Sequence, residues 1–116
     1  HGVRADEDPA LIARLVRERV PLTVCPLSNT KLRVYDQMGD HNLARMLRAG
    51  VVVTINSDDP AYFGGYITDN YRAAAEALDL SGAELVTLAE HAVRASFLPA
   101  TAKAGLLSRV RHAAIR

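Results

Sequence analysis

A chain of 116 residues has room for one small domain with a modest core and is too short for a large enzyme scaffold. Its 49% hydrophobic and 23% charged residues exclude extended disorder. With 14 basic and 13 acidic residues the net charge is +1, too weak a field to recruit nucleic acid, and no apolar run approaches the roughly 20 residues of a membrane span.

The first residues, His1-Gly2, carry neither a methionine nor a signal-peptide pattern, so a longer parent polypeptide is expected. Asp8 suits an N-cap and Pro9 a first helical position. With Leu11, Ile12, Leu15 and Val16 on one stripe, the spacing predicts a helix from Asp8 to Arg19. Val20 to Cys25 is apolar and β-branched, reads as a strand buried on both faces, and closes at Pro26. A second helix is predicted from His41 to Ala49, with Leu43, Met46 and Leu47 inward and Gly50 ending it, and a second strand from Val51 to Ile55. Each strand runs into a polar, turn-rich loop, Pro26-Leu27-Ser28-Asn29 and Asn56-Ser57-Asp58-Asp59-Pro60. Helix-strand-loop units roughly thirty residues apart imply parallel strands in an α/β fold.

Beyond the second loop the pattern is helical. Thr68 or Asp69 can cap a helix to about Leu78, and Ser81 with Glu84 forms a capping box for a helix to about Ala95. A last helix is expected after Pro99, with Arg109, Arg111 and Arg116 on its solvated face. Two parallel strands make an incomplete sheet, so further strands are expected upstream. The single cysteine, Cys25, excludes an internal disulfide and fits a reducing cytoplasm.

Ser28, Asn29, Ser57, Asp58 and Asp59 all fall at the carboxyl ends of the predicted strands, where α/β barrels place their chemistry. On an extended backbone, adjacent carboxylates at Asp58 and Asp59 point different ways, so one can hold a metal while the other meets a substrate. Asp-Asp-Pro is equally a common opening for a helix or turn. His1 would stand at the end of a preceding strand, with Gly2 letting the chain turn sharply. His41, His91 and His112 read as surface or capping residues, and no two histidines have zinc-ligand spacing. Phosphate-loop, serine-hydrolase and cytidine-deaminase motifs are absent from the sequence.

The order His1-Gly2, then Cys25-Pro26-Leu27-Ser28-Asn29, then Asn56-Ser57-Asp58-Asp59-Pro60, resembles the adenosine/adenine deaminase family of metal-dependent hydrolases over essentially the whole chain. The resemblance implies the C-terminal portion of a (β/α)8 barrel, from the end of strand six through strands seven and eight to the closing helices. It implies that His1 positions and polarises the attacking water, that Asp58 is a Zn2+ ligand and proton acceptor, and that Asp59 hydrogen-bonds a purine ring nitrogen. Ser28 and Asn29 become possible substrate-loop residues. The remaining metal ligands and the proton-shuttling glutamate would lie upstream, so residues 1–116 alone are expected to turn nothing over. Ser57 to Tyr66 looks more like the adenine branch than the adenosine branch, and Tyr62-Phe63 could fill the space of a ribose or only pack a helix. Adenosine remains the alternative small-molecule substrate, an oligomer is possible, and a non-catalytic fragment or a free-standing αβ module is the reading from another class.

Overall fold

The computed structural model describes residues 1–115; Arg116, expected on the last helix, lies outside the described residues. A short 3-10 turn over Val3–Glu7 leads into helix α1, Pro9–Glu18. The Asp8 carboxylate accepts from the amides of Ala10 and Leu11 at 3.0 and 3.3 Å, and Arg19 ends α1 in the left-handed region at φ 53°. Leu15 is buried, with Ile12 and Val16 packed on the core. Leu11, expected on the same stripe, is instead exposed.

Strands β1, Leu22–Val24, and β2, Val53–Ile55, pair in parallel with Leu22 opposite Val53, Thr23 opposite Thr54 and Val24 opposite Ile55. Both are shorter than their apolar runs. The Val20 amide is drawn back to the Leu15 carbonyl, Pro21 has no amide to donate, and the Val53 amide turns back on the Val51 carbonyl. β2 is buried throughout, whereas Thr23 of β1 is exposed and Leu22 half-buried, so burial of β1 on both faces is not realised. The physical reason is coverage: the helices pack on β2, and β2 is the one neighbour of β1 in the sheet among the described residues.

Two helices lie where loops were expected. α2, Pro26–Lys31, begins immediately after β1, and α4, Pro60–Phe63, soon after β2. α3, Leu43–Arg48, starts two residues later than its pattern implied, leaving His41 outside it, and Gly50 at φ 98° makes the turn towards β2. α5, Ile67–Leu78, begins before Thr68: Asp69 sits in its first turn and accepts the Tyr66 amide at 2.9 Å. α6, Gly82–Ala95, carries the expected box, with Ser81 and Glu84 exchanging bonds of 3.0 and 3.1 Å. α7, Ala100–Ile115, lies against α6; Arg109 and Arg111 are exposed as expected, and Arg111 pairs with Glu90 at 2.8 Å.

The core gathers Val24, Val53 and Ile55 from the strands with Leu43 and Met46 of α3, Ala74 of α5 and Leu88 of α6. Because the strands are parallel, their carboxyl ends and the residues that follow, Cys25 to Asn29 and Asn56 to Asp59, emerge at one end of this core.

Candidate active site

Gly2 at φ 80° turns His1 over the carboxyl end of the sheet, and a Cβ there would lie 2.8 Å from Leu22 Cδ2. His1 Nε2 then stands 3.5 Å from Asp58 Oδ2. The same oxygen accepts from the Ser28 hydroxyl at 2.8 Å. Three residues distant in sequence thus meet: His1 half-exposed, Ser28 fully buried, and the Asp58 side chain 28% exposed.

Asp58 does not lie on extended backbone, as its alternation with Asp59 had implied. It occupies the left-handed region at φ 56°, one of four non-glycine residues that do so among those described. Such backbone is uncommon outside glycine and costs of order 1 kcal/mol, a form of strain that collects at functional sites. Asp59 follows in extended backbone and caps α4, its Oδ1 accepting the Tyr62 amide at 3.1 Å. Its hydrogen bond runs to the helix and not to the His1–Asp58 cluster. Tyr62 stands 69% exposed, its ring edge-on to Phe63 at 4.9 Å between centroids.

Asn29, fully buried, turns away from Asp58: its Oδ1 lies 2.9 Å from Nε2 of His41. His41 is itself buried and not the surface or capping residue its sequence position suggests, because it is enclosed between Asn29, the ring of Tyr35 at 4.6 Å and the first turn of α3. Burial, with the nearby Arg45 charge, pushes its imidazole down to about 4, so it is neutral at pH 7. His91 is likewise not a free surface residue; its Nδ1 lies 2.9 Å from the Val53 carbonyl and ties α6 to β2. His112 is exposed as expected. An open groove of about 650 Å³ runs beside the cluster, lined by His1, Gly2, Arg4, Leu11, Asn29 and Leu32 among others.

Two further residues at this end carried no site signal in the sequence. Cys25, buried, completes a cluster in which the ligand atoms of His1, Cys25 and Asp58 lie within 4.8 Å of one another. Burial, and then the Asp58 charge, raise its thiol pKa, so the thiolate that binds metals is disfavoured. Asn70 of α5, fully buried, accepts the Leu27 amide at 3.0 Å and donates to the Tyr66 carbonyl at 3.0 Å, pinning the start of α2. The ready donors for a metal are therefore an imidazole and a carboxylate, both types that zinc takes, held close together by a hydroxyl on the carboxylate.

The adenosine deaminase family model matches residues 1–113. Adenine deaminase of Cupriavidus necator is 60% identical over 112 residues, which are 97% of this chain and 32% of that one. The crystal structure of adenine deaminase from Arthrobacter aurescens covers all of this chain at 48% identity with a TM-score of 0.98, and this chain covers 36% of it. An amidohydrolase of Burkholderia ambifaria with bound Zn superposes with a TM-score of 0.87 over 99% of this chain and 32% of its own, at 20% identity, a likeness of fold. The chain thus spans about a third of the length of the relatives it matches. Across almost its whole length, it belongs to the adenosine deaminase family.

Proposed function

We propose that this chain forms the C-terminal third of a zinc-dependent purine deaminase and contributes the carboxylate end of its active site, acting on adenine to give hypoxanthine and ammonia. The observation that carries the reading is the meeting of His1, Asp58 and Ser28 at the carboxyl end of two parallel strands, with Asp58 in strained backbone. The uncovered β1 and the fully exposed Phe97 support a place inside a larger (β/α)8 barrel, as its sixth-strand end and strands seven and eight. Likeness to adenine deaminases at 60% and 48% identity supports adenine as the substrate. Tyr62, exposed close to Asp59, would suit a pocket closed against a ribose.

The donor set fits zinc in part: Asp58 would be a direct ligand, with His1 at the same centre, and the remaining nitrogen ligands would come from the missing barrel strands. A zinc ion bound there supplies the Lewis acidity that makes water a nucleophile near neutral pH. The chain's own residues orient and move protons around it. Ser28 donates to Asp58 Oδ2, which fixes the carboxylate and leaves Oδ1 for metal or proton. Asp58 takes the proton of the attacking water, and His1, at 3.5 Å, holds that water by hydrogen bonding. Asp59 spends Oδ1 on its helix cap, leaving Oδ2 to meet the ring nitrogen of the purine. Cys25 supports this centre as a protonated, buried thiol, consistent with a reducing cytoplasmic setting.

The test is the in-frame sequence upstream of His1, followed by assay of the full-length product. Upstream metal histidines and a zinc-dependent release of ammonia from adenine in preference to adenosine are expected. Residues 1–116 alone should release none. An upstream frame without such ligands, or turnover by residues 1–116 alone, would refute the proposal.

A further inference from the structure

The buried His41 lies outside the reaction described so far, yet its hydrogen bonds determine how Asn29 faces the groove beside His1. The Leu43 amide donates to His41 Nδ1 at 3.1 Å. A backbone N–H can only donate, so Nδ1 carries no proton and the proton of the neutral ring sits on Nε2. Nε2–H, 2.9 Å from Asn29, must therefore meet the amide oxygen and not its nitrogen. The Asn29 side chain then has one orientation, with Oδ1 turned inward and Nδ2 left without an acceptor among the described residues. Its backbone is equally fixed, since the Asn29 amide donates to the Cys25 carbonyl and its own carbonyl accepts from Val34, each at 2.9 Å. Asn29 and His1 line the same groove.

We infer that His41 is a positioning residue that locks Asn29 with its amide N–H2 directed to an acceptor atom of a purine bound in the groove shared with His1. The inference rests on the purine-deaminase reading for the identity of the ligand, and on the His41–Asn29–groove geometry for everything else. Tyr35, tilted 41° against the His41 ring, holds that ring from the other side. A neutral imidazole is what the arrangement needs, because a doubly protonated ring could not accept from Leu43; burial favours the neutral form.

The experiment compares the full-length protein with its Asn29→Asp, His41→Phe and His41→Gln variants by calorimetric binding of hypoxanthine and by adenine kinetics. Asn29→Asp keeps an oxygen for His41 but replaces the outward donor by a second oxygen. Hypoxanthine affinity should fall about ten-fold, and KM for adenine rise by a similar factor with kcat little changed, the effect of one lost hydrogen bond. His41→Phe keeps a ring against Tyr35 and should give a similar KM effect. The His41→Phe effect should vanish in the Asn29→Asp background, and His41→Gln, which can still donate to Asn29 and accept from Leu43, should restore part of the affinity. Lowered Tm with unchanged hypoxanthine affinity in Asn29→Asp and His41→Phe would make the pair a loop staple and overturn the inference, as would a wild-type protein that binds no purine. Purine binding with this dependence on Asn29, but without turnover, would leave the inference standing and sink the deaminase reading.

Discussion

The segments that follow the two strands lie at the same end of the sheet but are built differently. After β1, Cys25, Ser28 and Asn29 are buried, α2 is clamped by Asn70, and every polar group named there has a partner among the described residues except the side-chain nitrogen of Asn29. After β2, Asp58 and Asp59 are exposed and Asp58 is held in left-handed backbone. A rigid, satisfied segment thus supports a strained, open one, with the Ser28 hydroxyl as the link between them. The two carboxylates stay accessible while the Asp58 side chain is held by Ser28 from below, the division that a preorganised site would need.

The largest break in this pairing comes from the open side. Asp58→Asn in the full-length protein should lower kcat for adenine by about 10³-fold or more, with Tm unchanged or raised, because an asparagine tolerates left-handed backbone at least as well. A fall in Tm with retained turnover would make Asp58 structural. On the rigid side, His41 couples folding to pH. Above pH 6.5 its imidazole is neutral folded and unfolded; below that the unfolded chain takes up a proton that the folded chain refuses until about pH 4. The facing Arg45 opposes protonation and Asp6 favours it. Stability should therefore fall by up to about 3 kcal/mol between pH 6.5 and 4, and urea midpoints across that range should show His41→Gln flattening the decline.

Asn70→Ala removes the acceptor of the Leu27 amide and should cost about 1–3 kcal/mol in urea unfolding, with loss of activity following the loosened start of α2. Ser28→Ala sharpens the comparison further: cutting the link should reduce kcat/KM by about 10- to 100-fold while the Tm moves little. The smallest effect lies away from the site. Ser81→Ala, which opens the capping box of α6, should cost about 1 kcal/mol and leave adenine kinetics unaltered.

Much of this arrangement was legible in the residues. Asp8-Pro9, Ser81 with Glu84 and Gly50 announced helix ends by local chemistry, and the two apolar runs announced parallel strands, since each signal is complete within a few residues. Ser28 and Asp58 were marked by their places at the strand ends and His1 by the repeat, before a resemblance in motif order added roles for His1, Asp58 and Asp59, and the structure brings His1, Ser28 and Asp58 together. What escaped depends on distant partners. Pro26 to Asn29 reads as a turn because the clamp on α2 is Asn70, 43 positions away in sequence. His41 looked like a surface residue because its burial is decided by Asn29 and Tyr35, and Cys25 gave no sign of standing beside Asp58. Thr23 was expected inside because an apolar run does not show how many strands will cover it.

The central claim is that this chain supplies the Asp58 end of an adenine deaminase centre. Its most direct test is the rate of ammonia release from adenine and from adenosine by the zinc-loaded full-length protein. Rapid release from adenine, little from adenosine, and none from adenine after Asp58→Asn is the predicted result. Turnover of neither purine, or adenine turnover that survives loss of the Asp58 carboxylate, would contradict it.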